Sequence, residues 1–247
     1  MVNFQLNPNL DLHAIEQEYA ANGRVRINDL LNEEAVDDLY HYLNDRTDWW
    51  HMMNNDGGLV ELSRSQRARM SKKRLAALDA EVHAIAQLGF QYRYEGLRVP
   101  DSSKVPGGAT GLLADFARLM SSAPMLQMLR TVTGANELTF TDGHATAYGP
   151  GDFLTGHDDH VPGKDRLAAY VFGLTPQWRP EWGGLLLFHG PRDATAFALV
   201  PRFNTLDLFA VPQRHSVSMV TPAARYRRYA VTGWLRKAVS TVCEAPV

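Results

Sequence analysis

The most chemically suggestive feature of this 247-residue chain is a short run of side chains that can bind metal ions. The run spans residues 156–160, reads GHDDH, and directly follows an apolar pair typical of a strand. Residues two apart on an extended chain point to the same side, so His157 and Asp159 can converge on one ion. Another histidine, His215, opens an apolar run 56 residues after Asp159 and could complete the set.

Two histidines and one carboxylate form the facial triad of non-haem iron sites, which leaves coordination positions open for other ligands. The alternative is that the run is a polar loop and that His215 is an ordinary residue at a strand end. Asp158 and His160 have the opposite parity, so we interpret them as loop residues or as residues that support the ligands. His144 is interpreted as a hydrogen-bonded interior residue rather than as a fourth ligand.

A second candidate site lies on the strand near the C-terminus. Alternation places four side chains on one face: Arg228, Ala230, Thr232 and Trp234. An arginine on a half-buried face is unfavourable unless an anion pairs with it, and its parallel N–H donors match a carboxylate. Thr232 can add a hydroxyl, and Tyr148 on a preceding strand can add another or be a core tyrosine. Otherwise Arg228 points to water, as we expect of Arg225 and Arg227.

The elements that must position these residues change in character near residue 138. Before it, helical spacing and end signals predict five helices: from Asp11 to Gly23, over 33–44, through 75–85 to Gly89, over 111–121 and over 124–133. We also expect a strand over 90–94 and a loop over 104–110.

After residue 138, short apolar or alternating runs recur between turn residues, a pattern typical of an antiparallel jelly roll. The predicted strands cover 138–149, 166–174, 184–189, 195–200, 205–211, 215–220 and 228–235. The sequence therefore predicts an α+β fold in a single domain, 1–247. We expect residues 1–137 to be a mainly helical support and residues 138–236 to be the β core.

Composition excludes several classes of protein. Hydrophobic residues make up 45% and charged residues 21% of the chain, which is typical of a folded protein rather than a disordered one. Lys and Arg number 25 against 27 Asp and Glu, so no basic excess favours nucleic acid as a partner. The single cysteine, Cys243, allows neither an internal disulfide nor a cysteine zinc site. Without an apolar span or a signal pattern, we expect a cytoplasmic protein with no membrane contact.

Six segments together resemble the iron(II)- and 2-oxoglutarate-dependent oxygenases of the prolyl 4-hydroxylase type. They occur in the order typical of that family and cover roughly residues 138–236. The segments are 146–159, 166–174, 182–188, 201–209, 215–217 and 228–234. The resemblance implies a double-stranded β-helix core of the cupin-like kind, with the helical half packed against it.

The same resemblance implies roles for individual residues. His157, Asp159 and His215 would ligate Fe(2+). Arg228 would hold the far carboxylate of 2-oxoglutarate, with Thr232 and Tyr148 as helpers. The chain departs from the family at Gly173, where relatives often have a larger side chain near this cosubstrate.

The implied activity is hydroxylation of an unactivated C–H bond by dioxygen, with decarboxylation of 2-oxoglutarate to succinate. The carboxylate of Asp159 favours hydroxylation over halogenation, because halogenating relatives have a small residue in its place. Ascorbate is an additional cofactor that the resemblance admits. The substrate would be a prolyl residue of a peptide or a small molecule.

Two other functions are compatible with parts of this pattern. A cupin-like hydrolase or isomerase would use the same triad with zinc or manganese but would not need a buried Arg228. A non-catalytic small-molecule sensor could share the fold.

Two tryptophans, Trp178 and Trp182, are expected either to cover the substrate or to pack against the helices. The basic group over 64–74 is expected to be a solvated helix face.

Overall fold

The helices of the protein occupy the N-terminal half of the chain. The computed structural model describes residues 2–55, 58–98 and 111–237, and its α-helices all lie within residues 12–133. They are α1 (Leu12–Asn22), α2 (Glu33–Asp45), α3 (Arg64–Arg69), α4 (Lys72–Leu88), α5 (Leu112–Met120) and α6 (Ala123–Thr133). Within these ranges, no helix is long and apolar enough to cross a membrane.

Local capping signals set the helix ends where the sequence predicts them. The Asp11 side chain accepts a hydrogen bond from the backbone N–H of Ala14 and begins α1, and Gly23 ends it with φ of 65°. Ser122 caps α6 in the same way, and Gly134 ends it with φ of 69°. The predicted loop over 104–110 lies outside the described residues.

Within the part of the chain that the structure describes, twelve antiparallel strands form one sheet. The strands are β1 (Arg24–Asn28), β2 (Trp50–Asn55), β3 (Gly58–Ser63), β4 (Tyr92–Arg98), β5 (Phe140–Tyr148), β6 (Phe153–His157), β7 (Arg166–Leu174), β8 (Leu186–His189), β9 (Ala196–Leu199), β10 (Phe203–Ala210), β11 (His215–Val217) and β12 (Arg228–Arg236). Their order is β1-β10-β7-β12-β5-β4-β6-β11-β8-β9, and β2 and β3 extend the sheet from β4.

The sheet curls so that its two arms face each other. β4 joins the arms, because residues 95–98 pair with β5 and residues 92–93 pair with β6. Val171 of β7 and Ala230 of β12 pack in one buried cluster with Leu186 and Phe188 of β8, from the opposite arm. The α+β class and the curled antiparallel core that the sequence predicts are confirmed.

Alternation along β12 separates two packing layers. Tyr229, Val231 and Leu235 belong to the large cluster that the sheet forms with the helices. Ala230 and Trp234 belong to the smaller cluster between the arms. Side chains with the parity of Arg228 therefore point into the space between the arms, where ligands can be enclosed.

Three strands, β1 to β3, were not predicted. The five residues of β1 do alternate, with Val25 and Ile27 buried on one face, but the run is short. On the other face, the Arg24 guanidinium lies over the rings of Phe188 and Phe197, and Arg26 forms a bidentate ion pair with Asp207. Both faces of β1 are therefore covered, and its arginines do not mark a solvent side.

Candidate active site

Three metal-competent side chains converge near one end of the facing arms. Asp159 Oδ1 lies 3.6 Å from His157 Nε2, and Asp159 Oδ2 lies 3.5 Å from His215 Nε2. Register explains the convergence, because His157 at the end of β6 pairs directly with His215 at the start of β11. One candidate ligand atom from each residue can be chosen so that all three lie within 4.8 Å of one another. One ion could therefore contact all three side chains.

Backbone carbonyls orient both imidazole rings. His157 Nδ1 donates to the carbonyl of Thr155 at 3.0 Å, and His215 Nδ1 donates to that of Gln213 at 2.8 Å. A carbonyl can only accept, so each Nδ1 carries a proton and each Nε2 is directed toward Asp159. Burial, and to a smaller degree the nearby His157, lower the pKa of His215, which keeps this ring neutral. Two rings whose Nε2 atoms are directed toward the same carboxylate suit metal binding.

Asp159 reaches the cluster through an uncommon backbone conformation. Its φ is 63°, in the left-handed region that non-glycine residues rarely adopt. Arg166, the first residue of β7, donates through Nη1 to the Asp159 carbonyl at 2.9 Å. The Arg166 guanidinium also lies 3.5 Å from the centre of the Trp234 ring. This contact holds the Asp159 backbone in place from the facing arm.

Neighbouring polar residues take no part in the cluster. Asp158 and His160 are exposed, and the His160 backbone N–H donates to the Asp158 carboxylate at 3.0 Å within the loop. His144 lies between the rings of Tyr94 and Trp234, with centroid distances of 6.2 and 6.3 Å. The structure therefore places Asp158 and His160 in the loop, as the sequence analysis assigned them. His144 packs between two rings, but the hydrogen bond expected of its side chain is not found among the described residues.

Arg228 is buried between the arms and has a free hydrogen-bond donor. It is 5% exposed, and its Nη1 has no hydrogen-bond partner among the described residues. It pairs across strands with Tyr148, and its guanidinium lies 5.1 Å from the centre of that ring. Burial lowers the pKa of Arg228, although nearby Tyr148 and Asp207 act in the opposite direction. An uncompensated donor at this depth is suited to an anionic ligand.

The other two expected helpers differ in their placement. Tyr148 is buried, and burial raises the pKa of its phenol, so its hydroxyl stays protonated and can donate. Thr232 is half-buried and pairs with His144 and Val171. It lies four residues from Arg228 on the same face of β12, with Ala230 between them. No hydrogen bond joins Thr232 to Arg228 among the described residues.

Gly173 lacks a side chain because a loop approaches it closely. A Cβ atom there would lie 2.2 Å from the carbonyl oxygen of Arg202 and 2.9 Å from Thr205 Oγ1. Thr205 is itself buried, and its hydroxyl has no hydrogen-bond partner. The space that a larger side chain would fill is therefore occupied by the segment that leads into β10.

A row of aromatic rings along β4 connects the metal-competent cluster with Arg228. The Phe90 ring lies 5.6 Å from His157, Tyr92 lies 5.5 Å from Tyr94, and Tyr94 lies 5.2 Å from Tyr148. Phe90 is about half exposed, whereas Tyr148 is buried. This row forms one wall of the site, from the surface to the buried arginine.

Arg227 does not point freely to water as expected, and this expectation was wrong. Its guanidinium lies 2.9 Å from the carboxylate of Glu95, a residue only 1% exposed. Arg64 and Arg67 pair with the same carboxylate, so these two members of the basic group are half-buried rather than fully solvated. Burial acts to raise the pKa of Glu95, but the three arginines outweigh it and lower that pKa. Arg225 is exposed, as expected.

Trp178 and Trp182 pack at the β core rather than against the helices. Trp178 packs with Tyr148, Val217 and Val220, and its Nε1 donates to the Gly183 carbonyl at 2.8 Å. Trp182 meets Trp178 edge to face at 5.3 Å. Both rings therefore belong to the end of the β core where Arg228 lies.

Sequence reasoning missed two residues that shape the site, Arg166 and Thr205. Arg166 is the first residue of a strand that was predicted, but its contact with Asp159 crosses a loop of unpredictable path. Thr205 carries no local signal, because an isolated threonine in an apolar strand is common. Only the strand register brings either residue to the site.

Comparison with known proteins supports the same chemistry. Residues 143–236 match the family model described as the 2OG-Fe(II) oxygenase superfamily. This segment contains the metal-competent cluster, Arg228, Thr232 and Tyr148. No curated protein matches the sequence.

Several solved structures share the fold at low sequence identity. A prolyl-4-hydroxylase from Pseudomonas putida aligns with a TM-score of 0.58 and 16% identity, covering 92% of this chain and 100% of that one. A prolyl hydroxylase from Trichoplax adhaerens, in complex with a hypoxia inducible factor peptide fragment, has a TM-score of 0.58 and 16% identity, over 92% and 89% of the two chains. An oxidoreductase of the 2OG-Fe(II) oxygenase family from Burkholderia pseudomallei has a TM-score of 0.57 and 12% identity, over 95% and 97%.

The double-stranded β-helix predicted for the core is thus confirmed by structures that share its fold. Over residues 143–236 the chain is similar to the 2OG-Fe(II) oxygenase superfamily in sequence as well as in fold, and this similarity supports an oxygenase enzyme.

Proposed function

We propose that the protein hydroxylates an unactivated C–H bond, using ferrous iron, dioxygen and 2-oxoglutarate, and releases succinate and carbon dioxide. The observation that carries the proposal is the presence of two features between the facing arms of the sheet. One is the cluster of His157, Asp159 and His215, and the other is the buried, unpaired guanidinium of Arg228.

The donor set fits ferrous iron. Two neutral imidazole nitrogens and one carboxylate oxygen on one side of an ion leave the other positions for a cosubstrate and dioxygen. When bound, the iron would supply the oxidising chemistry, and the protein would hold its ligands in place. The carbonyls of Thr155 and Gln213 fix the two rings, and Arg166 fixes the Asp159 backbone.

Arg228 fits the far carboxylate of 2-oxoglutarate. A guanidinium offers two parallel N–H donors in the geometry of a carboxylate, and the ring of Tyr148 lies 5.1 Å from the guanidinium. Thr232 is available on the same face as a further donor. A hydrolase or isomerase that used zinc or manganese would leave the buried charge of Arg228 without a partner, so that function is less well supported.

A substrate class is proposed from the solved structures that share the fold. The Pseudomonas putida protein is a prolyl-4-hydroxylase, and the Trichoplax adhaerens protein is a prolyl hydroxylase bound to a peptide. We therefore propose a peptidyl proline as the first substrate to test, and a small molecule as the second. The half-exposed ring of Phe90 beside His157 would form part of the entrance to the site.

Succinate production from 2-oxoglutarate tests the proposal. The full chain receives ferrous iron, 2-oxoglutarate, oxygen and ascorbate, together with proline-containing peptides or small molecules screened for a mass gain of one oxygen. His157→Ala, Asp159→Ala and His215→Ala should abolish succinate formation, because three ligands leave no redundancy. Asp158→Ala and His160→Ala change exposed neighbours and should retain it.

The ligand assignment fails if Asp158→Ala abolishes succinate formation and Asp159→Ala does not. The proposed function fails if wild-type protein with bound iron forms no succinate with any substrate tested.

A further inference from the structure

A groove separate from the candidate active site lies at the Arg228 end of the β core. It has a volume of about 850 Å³ and forms where three connections meet: 175–182 after β7, 198–203 before β10, and 225–226 before β12. Among the residues that line it are three arginines and three aromatic residues, which we call the arginine–aromatic groove: Arg179, Arg202, Arg225, Trp178, Trp182 and Tyr226.

The groove has a strongly one-sided charge. Its charged lining residues are all arginines, with no Asp or Glu among them. A fourth arginine, Arg26, is neutralised, because it binds Asp207 through two nitrogens and donates through the third to the Val200 carbonyl at 2.9 Å. Arg179, Arg202 and Arg225 are exposed, and no carboxylate of a described residue lies within ion-pair distance of them. On a chain with a net charge of −2, this is a local excess of positive charge.

Aromatic rings lie between these arginines. Trp178 and Trp182 meet at 5.3 Å, and Trp182 lies 6.0 Å from Tyr226. The Arg179 guanidinium lies 5.8 Å from the Trp182 ring, and that of Arg225 lies 5.3 Å from the Tyr226 ring. Trp178 is anchored by its hydrogen bond to Gly183 and by its buried packing against Val220. The rings therefore offer a fixed surface on which a planar group can stack.

We propose that the arginine–aromatic groove binds a small anionic ligand that carries a planar ring, of the chemical class of a nucleoside polyphosphate. Guanidinium groups bind phosphate oxygens in bidentate geometry, and the faces of tryptophan and tyrosine rings stack on any nucleobase. The volume lies in the range of small-molecule sites, about 300–1,000 Å³. An acidic peptide would satisfy the arginines but would make no use of the three rings.

The groove is distinct from the cosubstrate site but close to it. Both Trp178 and Arg228 lie against Gly184, where a Cβ atom would be 3.2 Å from the Trp178 ring and 3.5 Å from Arg228 Cδ. The metal-competent cluster and Arg228 are absent from the lining of the groove. A ligand in the groove therefore contacts residues that the proposed oxygenase chemistry does not use.

Calorimetric titration with ATP tests the proposal. The full chain is used free of metal, so that ATP cannot chelate iron, and the ionic strength is kept constant. ATP should bind, whereas adenosine and tripolyphosphate, which each lack one half of the recognised chemistry, should bind more weakly. Arg179→Gln and Arg225→Gln should each weaken ATP binding about tenfold, the effect of a lost charge-assisted contact. Trp182→Leu should weaken ATP binding but leave tripolyphosphate binding unchanged.

Two control variants show where ATP binds. Arg69→Gln removes an exposed arginine at the end of α3, outside the groove, and should leave the affinity unchanged. Arg228→Lys should also leave it unchanged, because Arg228 does not line the groove.

The proposal is overturned if ATP does not bind, or if tripolyphosphate binds as tightly as ATP. It is also overturned if Arg228→Lys weakens ATP binding as much as Arg225→Gln, since the nucleotide would then occupy the cosubstrate site. Binding of a glutamate-rich peptide in preference to ATP would assign the groove to an acidic protein segment instead. Because the assay measures binding without turnover, its outcome is independent of the oxygenase activity.

Discussion

Arg228 is a buried cation whose guanidinium nitrogen Nη1 has no protein partner. Burying a charge without a counter-ion is unfavourable, and here Asp207, the nearest carboxylate that acts on it, is already paired with Arg26. A bound dicarboxylate would supply the missing negative charge. It would bind the folded protein only, and so would also raise the stability of the fold.

Replacing Arg228 with lysine tests whether its second parallel hydrogen bond matters. Arg228→Lys keeps the charge, and we expect it to weaken 2-oxoglutarate binding by roughly 1–3 kcal/mol while leaving iron binding intact. Arg236→Lys is the matched control, because Arg236 lies at the far end of the same strand and pairs with Asp142. Calorimetric titration with 2-oxoglutarate measures the affinity of both variants. Equal affinities in the two variants would show that Arg228 does not hold the cosubstrate.

Strand parity was sufficient to predict which side chains share a face, but not their partners. Arg228 and Thr232 could be placed on one face from spacing alone, because alternate residues of a strand lie on the same side. The same argument does not account for Asp159, which lies beyond the end of β6 and has a backbone φ of 63°. The ion pair between Arg227 and Glu95 could not be predicted, since it joins strands more than a hundred residues apart and depends on register. The contact between Arg166 and the Asp159 carbonyl was not predicted for the same reason.

β12 occupies the centre of the larger arm and contacts both neighbouring strands closely. A Cβ atom at Gly233 would lie 1.8 Å from the carbonyl oxygen of Asp142 and 2.7 Å from the Cα of Gly143. These two glycines face each other across β5 and β12 in register. The absence of both side chains lets the strands that carry Arg228 and Tyr148 approach each other.

Adding one methyl group at Gly233 should therefore destabilise the whole sheet. We expect Gly233→Ala to lower the free energy of unfolding by about 1–3 kcal/mol, the range for overpacking in a filled interior. Gly89→Ala is the control, because a Cβ atom there has no neighbour within 4 Å and its backbone is extended. Urea unfolding of both variants measures the difference. Equal stability of Gly233→Ala and wild type would mean that the two strands can separate at no cost.

Helices were easier to predict than strands because their signals are local. Asp11, Ser122 and Gly134 each mark a helix end within one turn of the chain, and the structure confirms all three. The strand β1 has no such mark. Its inward-facing Arg24 and Arg26 are stabilised by Phe188 and Asp207, whose positions depend on the curling of the entire sheet.

Enclosing polar groups between the arms makes the stability of the whole molecule depend on pH. Burial lowers the pKa of His144 from its ordinary value of 6.5 to about 4, although nearby Asp142 acts in the opposite direction. Between these two pH values, the unfolded chain accepts a proton that the folded protein does not. Stability is therefore fully present above pH 6.5 and falls as the pH is lowered toward 4.

The expected loss from His144 between pH 7 and pH 4 is about 3 kcal/mol. In His144→Gln this titration is absent, so the free energy of unfolding should fall less steeply over the same interval. Urea unfolding of metal-free wild type and His144→Gln at several pH values measures this dependence. For each protein, the free energy of unfolding is expressed relative to that protein's own value at pH 8. Parallel slopes for wild type and His144→Gln would contradict the buried, neutral state of this ring.

The central claim is that one enclosed site holds iron and 2-oxoglutarate together, and an anaerobic spectrum tests it most directly. Ferrous iron is added to the full chain, its binding is measured, and 2-oxoglutarate is then titrated in without oxygen. We predict a weak visible charge-transfer band that grows with 2-oxoglutarate, because the keto acid chelates the metal through two oxygens. Succinate, which lacks the keto group, should give none. Bound iron with no band at saturating 2-oxoglutarate would contradict the claim.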